Sequence, residues 1–184
     1  MNETELTGRK RELARLALAR ADMEVTVRLC DGATAAGLVD NDPVYWAFHN
    51  AVVVCYGRPF TSNEDVGALS EKWRKFSNER LQVAHDQILN LRDKVVAHAD
   101  LVYRPIHVLA KGTELPNGVV TETMMITVGK IGLSIESYLA IRELAMDLLP
   151  RLNEAINEQC EVLFPHGYDG PPLQLVDVAT WLSA

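Results

Sequence analysis

The stretch Asn90-Leu91-Arg92-Asp93-Lys94-Val95-Val96-Ala97-His98-Ala99-Asp100 sets an arginine, two acids and a histidine into an apolar helical pattern. Leu81, Ala84, Ile88, Leu91, Val95 and His98 follow an a/d spacing, so His98 continues an apolar seam. Polar groups in such a seam need partners, because burying one unpaired costs roughly 2–7 kcal/mol. They either satisfy one another in a core or line a site. His85 and Arg92 are seven residues apart and fall about 20° apart on an ideal helix, whereas Arg92 and His98 fall about 120° apart. One straight helix does not aim both of the latter at one phosphate. Two copies packed together can.

Working outward, Val44 to Tyr56 is apolar nearly all round, which predicts a central buried helix. Asp42-Pro43 before it supplies an N-cap and a proline at the first helical position. Residues 5 to 29 predict another helix, with a stripe of Leu6, Leu13, Leu16, Ala17 and Leu29, ended by Asp31-Gly32. Leu69, Trp73 and Phe76 predict a short helix, and Ser77 a cap for the one that follows. A long helix is expected from Leu133 to Glu161, with Ile135, Tyr138, Leu139, Leu144, Leu148, Leu152 and Ile156 on its core face. Pro150 should kink or split it.

Between the motif helix and this long helix the pattern changes. Ile106-His107-Val108-Leu109 and residues 119–128 are β-prone, and Asn117-Gly118 between them is a hairpin signal. The expected fold class is therefore mostly α: an up-down helical bundle over residues 1–184, one domain, with one β-hairpin inserted at about 104–128. Gly167, Gly170, Pro171 and Pro172 predict an irregular tail at about 165–184, with Leu175 to Trp181 able to dock on the body.

The chain has 184 residues, 48% of them hydrophobic, enough for one real core. A formal net charge of −7 argues against non-specific nucleic-acid binding, which relies on neutralising phosphates. Any RNA contact needs a local basic patch, and Arg9, Lys10, Arg11, Arg15 and Arg20 concentrate positive charge on the first helix. A solvated face is the plainer reading of that stripe. Cys30, Cys55 and Cys160 are scattered and odd in number, which fits thiols in a reducing cytoplasm rather than disulfides or zinc. Residues 1–20 are too charged for a secretory leader, and no segment approaches the ~20 apolar residues of a membrane span. His49, His107 and His166 lack ligand spacing, and there is no glycine-rich phosphate loop, so neither metal nor cofactor is expected.

Arg92-Asp93, four residues and then His98 resembles the Arg-x(4–6)-His signature of the HEPN superfamily. Leu91-Arg92-Asp93-Lys94, Ala97-His98-Ala99-Asp100, the upstream Tyr56-Gly57-Arg58-Pro59-Phe60 and His85 resemble its abortive-infection branch. The likeness spans roughly residues 43–100, with a compatible helix after 133. It implies a HEPN-like helical bundle acting as a homodimer, and a metal-independent endoribonuclease of toxin or defence type. In that chemistry the ribose 2′-OH attacks the adjacent phosphate and leaves a 2′,3′-cyclic phosphate. Histidine supplies a proton shuttle near neutral pH, and arginine a fixed cation against the developing charge.

Arg92, His98 and Asp93 are the catalytic candidates, with Asp93 orienting the arginine or the histidine. Arg58, His85 and Asp100 are the substrate-binding candidates. Each has a plainer structural role: His98 and His85 as core histidines, Arg92 in an ion pair, Asp93 as a solvated charge, Asp100 as a helix cap, and the Arg58 segment as loop packing. Family toxins paired with nucleotidyltransferase antitoxins carry a tyrosine two residues after the histidine. Asp100 stands there, and the nearest tyrosine is Tyr103. The other reading of the same motif is a catalytically silent scaffold that binds a partner protein, such as an antitoxin, or a nucleotide. A third, a bundle that binds a small molecule, requires a closed apolar pocket away from the motif.

Overall fold

A computed structural model describes residues 2–37, 43–62, 66–93, 106–115, 118–128 and 132–167. Four helices dominate: α1 (Glu3–Ala36), α2 (Pro43–Gly57), α3 (Glu79–Leu91) and α4 (Ile135–Leu163), with short 3-10 turns at Arg58–Phe60 and Glu71–Arg74. Cross-links fix their directions. Arg142 of α4 pairs with Asp31 of α1 while Arg9 reaches Gln159, so α1 and α4 run antiparallel. Gly32 faces Phe48 and Asp22 pairs with Arg58, so α2 returns antiparallel along α1. Arg80 pairs with Glu143, and Leu91 and Leu133 line the other end of the same groove, so α3 is antiparallel to α4.

α1 is longer than its sequence pattern predicts. Asp31-Gly32 does not end it. Asn2 caps its start by accepting from Glu5 N, and Gly37, at φ 57°, closes it with an N–H to Thr34 O. Among its buried residues Leu16, Ala19, Met23, Thr26, Cys30 and Ala33 form a three-four repeat, flanked by buried Ala14 and Asp22, whereas Ala17 of the expected stripe is exposed. Small residues make this seam. A Cβ at Gly32 would lie 3.0 Å from the Phe48 ring, so the absence of one lets α2 come close. The expectation ranked residues by hydrophobicity, which underrates alanine, threonine and cysteine where helices approach.

α2 buries Tyr45, His49, Val52, Val53 and Tyr56, yet Val44, Ala47 and Asn50 face outward. It is therefore buried on one side, and not all round. α4 buries Tyr138, Ile141, Leu144, Ala145, Leu148 and Leu152, while Ile135 and Leu139 of the expected core face are half exposed. Pro150 does not split α4. It lacks the N–H that Met146 O would accept, but both residues are exposed, so water can serve that carbonyl. Leu69 and Trp73 are core residues without the predicted helix; only one 3-10 turn forms there. Asn78, rather than Ser77, caps α3 by accepting from Arg80 N at 2.9 Å.

Between α3 and α4, β1 (Ile106–Leu109) and β2 (Met125–Val128) pair antiparallel, with Ile106 opposite Val128 and Leu109 opposite Met125. A further bridge joins Glu114 and Val120, and Gly118 takes φ 78°. Among the described residues no helix is long and apolar enough to cross a membrane. The cap at Asp42 and nearly all of the expected C-terminal tail lie outside the described residues.

Candidate functional site

The helix that carries Arg92 widens to a π-type turn over Arg92 and Asp93. His98 and Asp100 lie outside the described residues. What the structure positions is the arginine half of the motif.

Arg92 rests on Gly57. A Cβ added to Gly57 would meet Arg92 Cγ at 2.9 Å and Cδ at 3.3 Å, so the aliphatic stem lies directly on the end of α2. Gly57 itself has φ −78°, an ordinary helical value; close approach, not backbone strain, is the reason for glycine here. The guanidinium donates to Asp93 Oδ1 at 2.9 Å, with the arginine side chain 28% exposed and the aspartate 68%. Arg92 is thus fixed at its stem and partly open at its head.

Arg58 follows Gly57 directly, and so belongs to the same corner. Its Nη1 donates to Asp22 Oδ1 at 2.8 Å. Burial raises the Asp22 carboxyl, against the lowering effect of the Arg58 charge. The segment after it is tied down by Leu69 N to Pro59 O and by Arg74 to Phe60 O.

His85 is an interior residue. It is 1% exposed, and its Nδ1 shares a 2.7 Å hydrogen bond with the Tyr56 hydroxyl. The rings of Tyr56, Phe60 and Phe76 enclose it at 4.8–5.8 Å. Its Nε2 is buried with no hydrogen-bond partner among the described residues. Burial lowers its pKa to about 4, with Asp86 raising it and Arg74 lowering it as smaller effects. In this arrangement the imidazole is neutral at pH 7 and buried from solvent. It welds α3 to the Tyr56–Phe60 segment and so sets the corner on which Arg92 sits. Of the two roles read in the sequence, substrate contact and core packing, the burial of His85 favours the second.

His49, read in the sequence only as lacking ligand spacing, is a second buried histidine. His49 is fully buried, its Nδ1 accepts from Leu133 N at 3.3 Å, and burial lowers its pKa to about 4. Tyr45 Oη donates to Leu133 O at 2.8 Å. Together these α2 residues hold both polar groups of the Leu133 peptide at the entry to α4. The signal was present: Tyr45, His49, Val52 and Tyr56 share one face at helical spacing.

Three of the five basic residues of the α1 stripe pair with acids of the same helix. Arg9 pairs with Glu5, Arg15 with Glu12, and Arg20 with Glu24. Arg15 also donates to Val66 O at 2.6 Å, which makes it a loop anchor. Among the described residues no three His, Cys, Asp or Glu side chains form a group able to hold a metal. Comparison with protein-family models, with curated proteins and with solved structures gives no match.

Proposed function

We propose that the chain is a HEPN-type endoribonuclease of toxin or defence type, acting as a homodimer and without metal. Arg92 stabilises the phosphate, His98 moves the proton, and Asp93 orients the arginine. The 2′ oxygen bonds to phosphorus, the bond to the 5′ oxygen breaks, and the proton lost from the 2′-OH is balanced by one delivered to the leaving oxygen. The observation that carries this reading is the seating of Arg92. Its stem is pinned on Gly57 while its guanidinium stays partly open, the preorganised cation that a developing phosphate charge requires. Arg58 at the same corner contributes positive charge once a phosphate competes with Asp22.

A specific observation favours the silent scaffold as the second reading. Both arginines already hold an acid of their own chain, and His85 is sealed in the core. The test is cleavage of single-stranded RNA by purified protein in excess chelator. Arg92→Ala and His98→Ala should each abolish it with melting temperatures within a few degrees of the parent. Cleavage at the parent rate in both variants, or cleavage that requires added magnesium or manganese, overturns the assignment. Folded protein with no cleavage in the parent leaves the scaffold.

A further inference from the structure

The described residues leave one long groove open, between α3 and α4. It encloses about 810 Å³. Its walls are mainly apolar, with Val83, Ala84 and Ile88 from α3 and Leu133, Ala140 and Ile141 at and beyond the entry to α4, interrupted by Gln87, Asn90 and Ser137. Val83 is half exposed, so the groove is not closed over by its own walls. α3 contributes 13 residues, about 18–20 Å at 1.5 Å per residue. A small-molecule site of this volume normally encloses most of its ligand. An open trough of three to four helical turns instead matches an amphipathic helix that lays its apolar stripe between two others.

The rim chooses among occupants by charge. Glu79 and Glu136 stand on its two lips. Among the described lining residues the single cation, Arg80, is already paired with Glu143 across the end of the groove. Glu136 accepts from its own backbone N–H and from Ser134, which holds its carboxyl below the usual range and charged at neutral pH. The rim is therefore net acidic, on a chain whose net charge is −7. A second copy set groove to groove would bring acid against acid, which like-charge repulsion disfavours.

We infer that the α3–α4 groove is a docking site for a basic amphipathic helix of a partner protein, with its apolar stripe on Val83, Ile88 and Ala140 and its lysines or arginines against Glu79 and Glu136. This deepens the partner part of the preceding reading and does not depend on catalysis. The probes are two fluorescein-labelled 16-residue helical peptides with one apolar stripe, flanked by lysines in one and glutamates in the other. The full-length protein should bind the lysine peptide saturably, about five- to tenfold tighter than the glutamate peptide at low salt, with the gap closing as salt screens the pairs. Glu79→Lys with Glu136→Lys should reverse the preference. Val83→Lys, at a half-exposed position that the fold does not need, should abolish binding of both.

Equal affinity for the two peptides, or no binding of the lysine peptide, overturns the inference. So does peptide binding that survives Val83→Lys. Loss of self-association in Val83→Lys, seen by light scattering, would make the groove an interface between copies and also overturn it. RNA cleavage is measured on the same variants. A loss there with peptide binding intact counts against the groove being separate from the catalytic corner, and a lack of cleavage in the parent touches only the preceding reading.

Discussion

The two buried histidines should make this protein acid-sensitive in a window that can be calculated. Each has a pKa near 4 in the folded chain against 6.5 when exposed. The unfolded chain therefore binds more protons than the folded one below pH 6.5. A base with a depressed folded pKa supports the fold fully above the unfolded value and loses that support as pH falls from about 6.5 towards 4. From pH 7 to pH 5 each histidine removes about 2 kcal/mol, so the pair removes about 4 kcal/mol. That is a large share of a total stability on the order of 5–15 kcal/mol. Asp22, whose carboxyl burial raises, shifts in the opposite sense. The assay is urea unfolding at half-unit steps between pH 7 and pH 5. His49→Asn and His85→Asn each keep an acceptor near the Nδ1 position without titrating in this range. Each lowers the starting stability, and each should halve the loss on acidification, to about 2 kcal/mol. A parent protein whose stability is flat over this range would refute the reasoning. So would an undiminished loss in both variants.

Gly57→Ala keeps an allowed backbone but pushes a Cβ against the stem of Arg92. Stability should fall by about 1–3 kcal/mol, because the near end of the Arg92 stem or the helix that carries it must shift, while RNA cleavage by the folded protein should fall at least tenfold; unchanged cleavage would detach Arg92 from the reaction. Pro150→Ala restores the hydrogen bond to Met146 O and should raise stability by about 1–3 kcal/mol, read as a higher melting temperature, whereas a lower one would show that the proline is adapted to its site. Light scattering at micromolar concentration should find a homodimer. A monomer would refute the composite site that two copies of Arg92 and His98 require.

The sequence by itself determined the class of fold and most of the element order. Period-3.6 patterns placed α2, α4 and the start of α3 within a few residues, since continuous apolar stripes need a core on one side. It also brought Arg92, Asp93, Arg58 and His85 to attention as residues whose polar groups needed an account. Only the tertiary structure decided what that account is. His85 and Arg92 lie almost in line on one helix, yet one is sealed among Tyr56, Phe60 and Phe76 and the other reaches out over Gly57. Spacing along a helix gives a side chain its direction, not the depth of what it meets. That depth depends on how closely α2 approaches, and the approach is set by Gly32 and Gly57, residues with no side chain for a hydrophobic pattern to register. The pairing of Arg9, Arg15 and Arg20 with Glu5, Glu12 and Glu24 is the opposite case, because these partners lie three or four residues away on the same helix and are legible in the sequence. The acidic groove between α3 and α4 was invisible for a stronger reason. Its two lips are more than fifty residues apart in the chain, and only the packing of the bundle makes them neighbours.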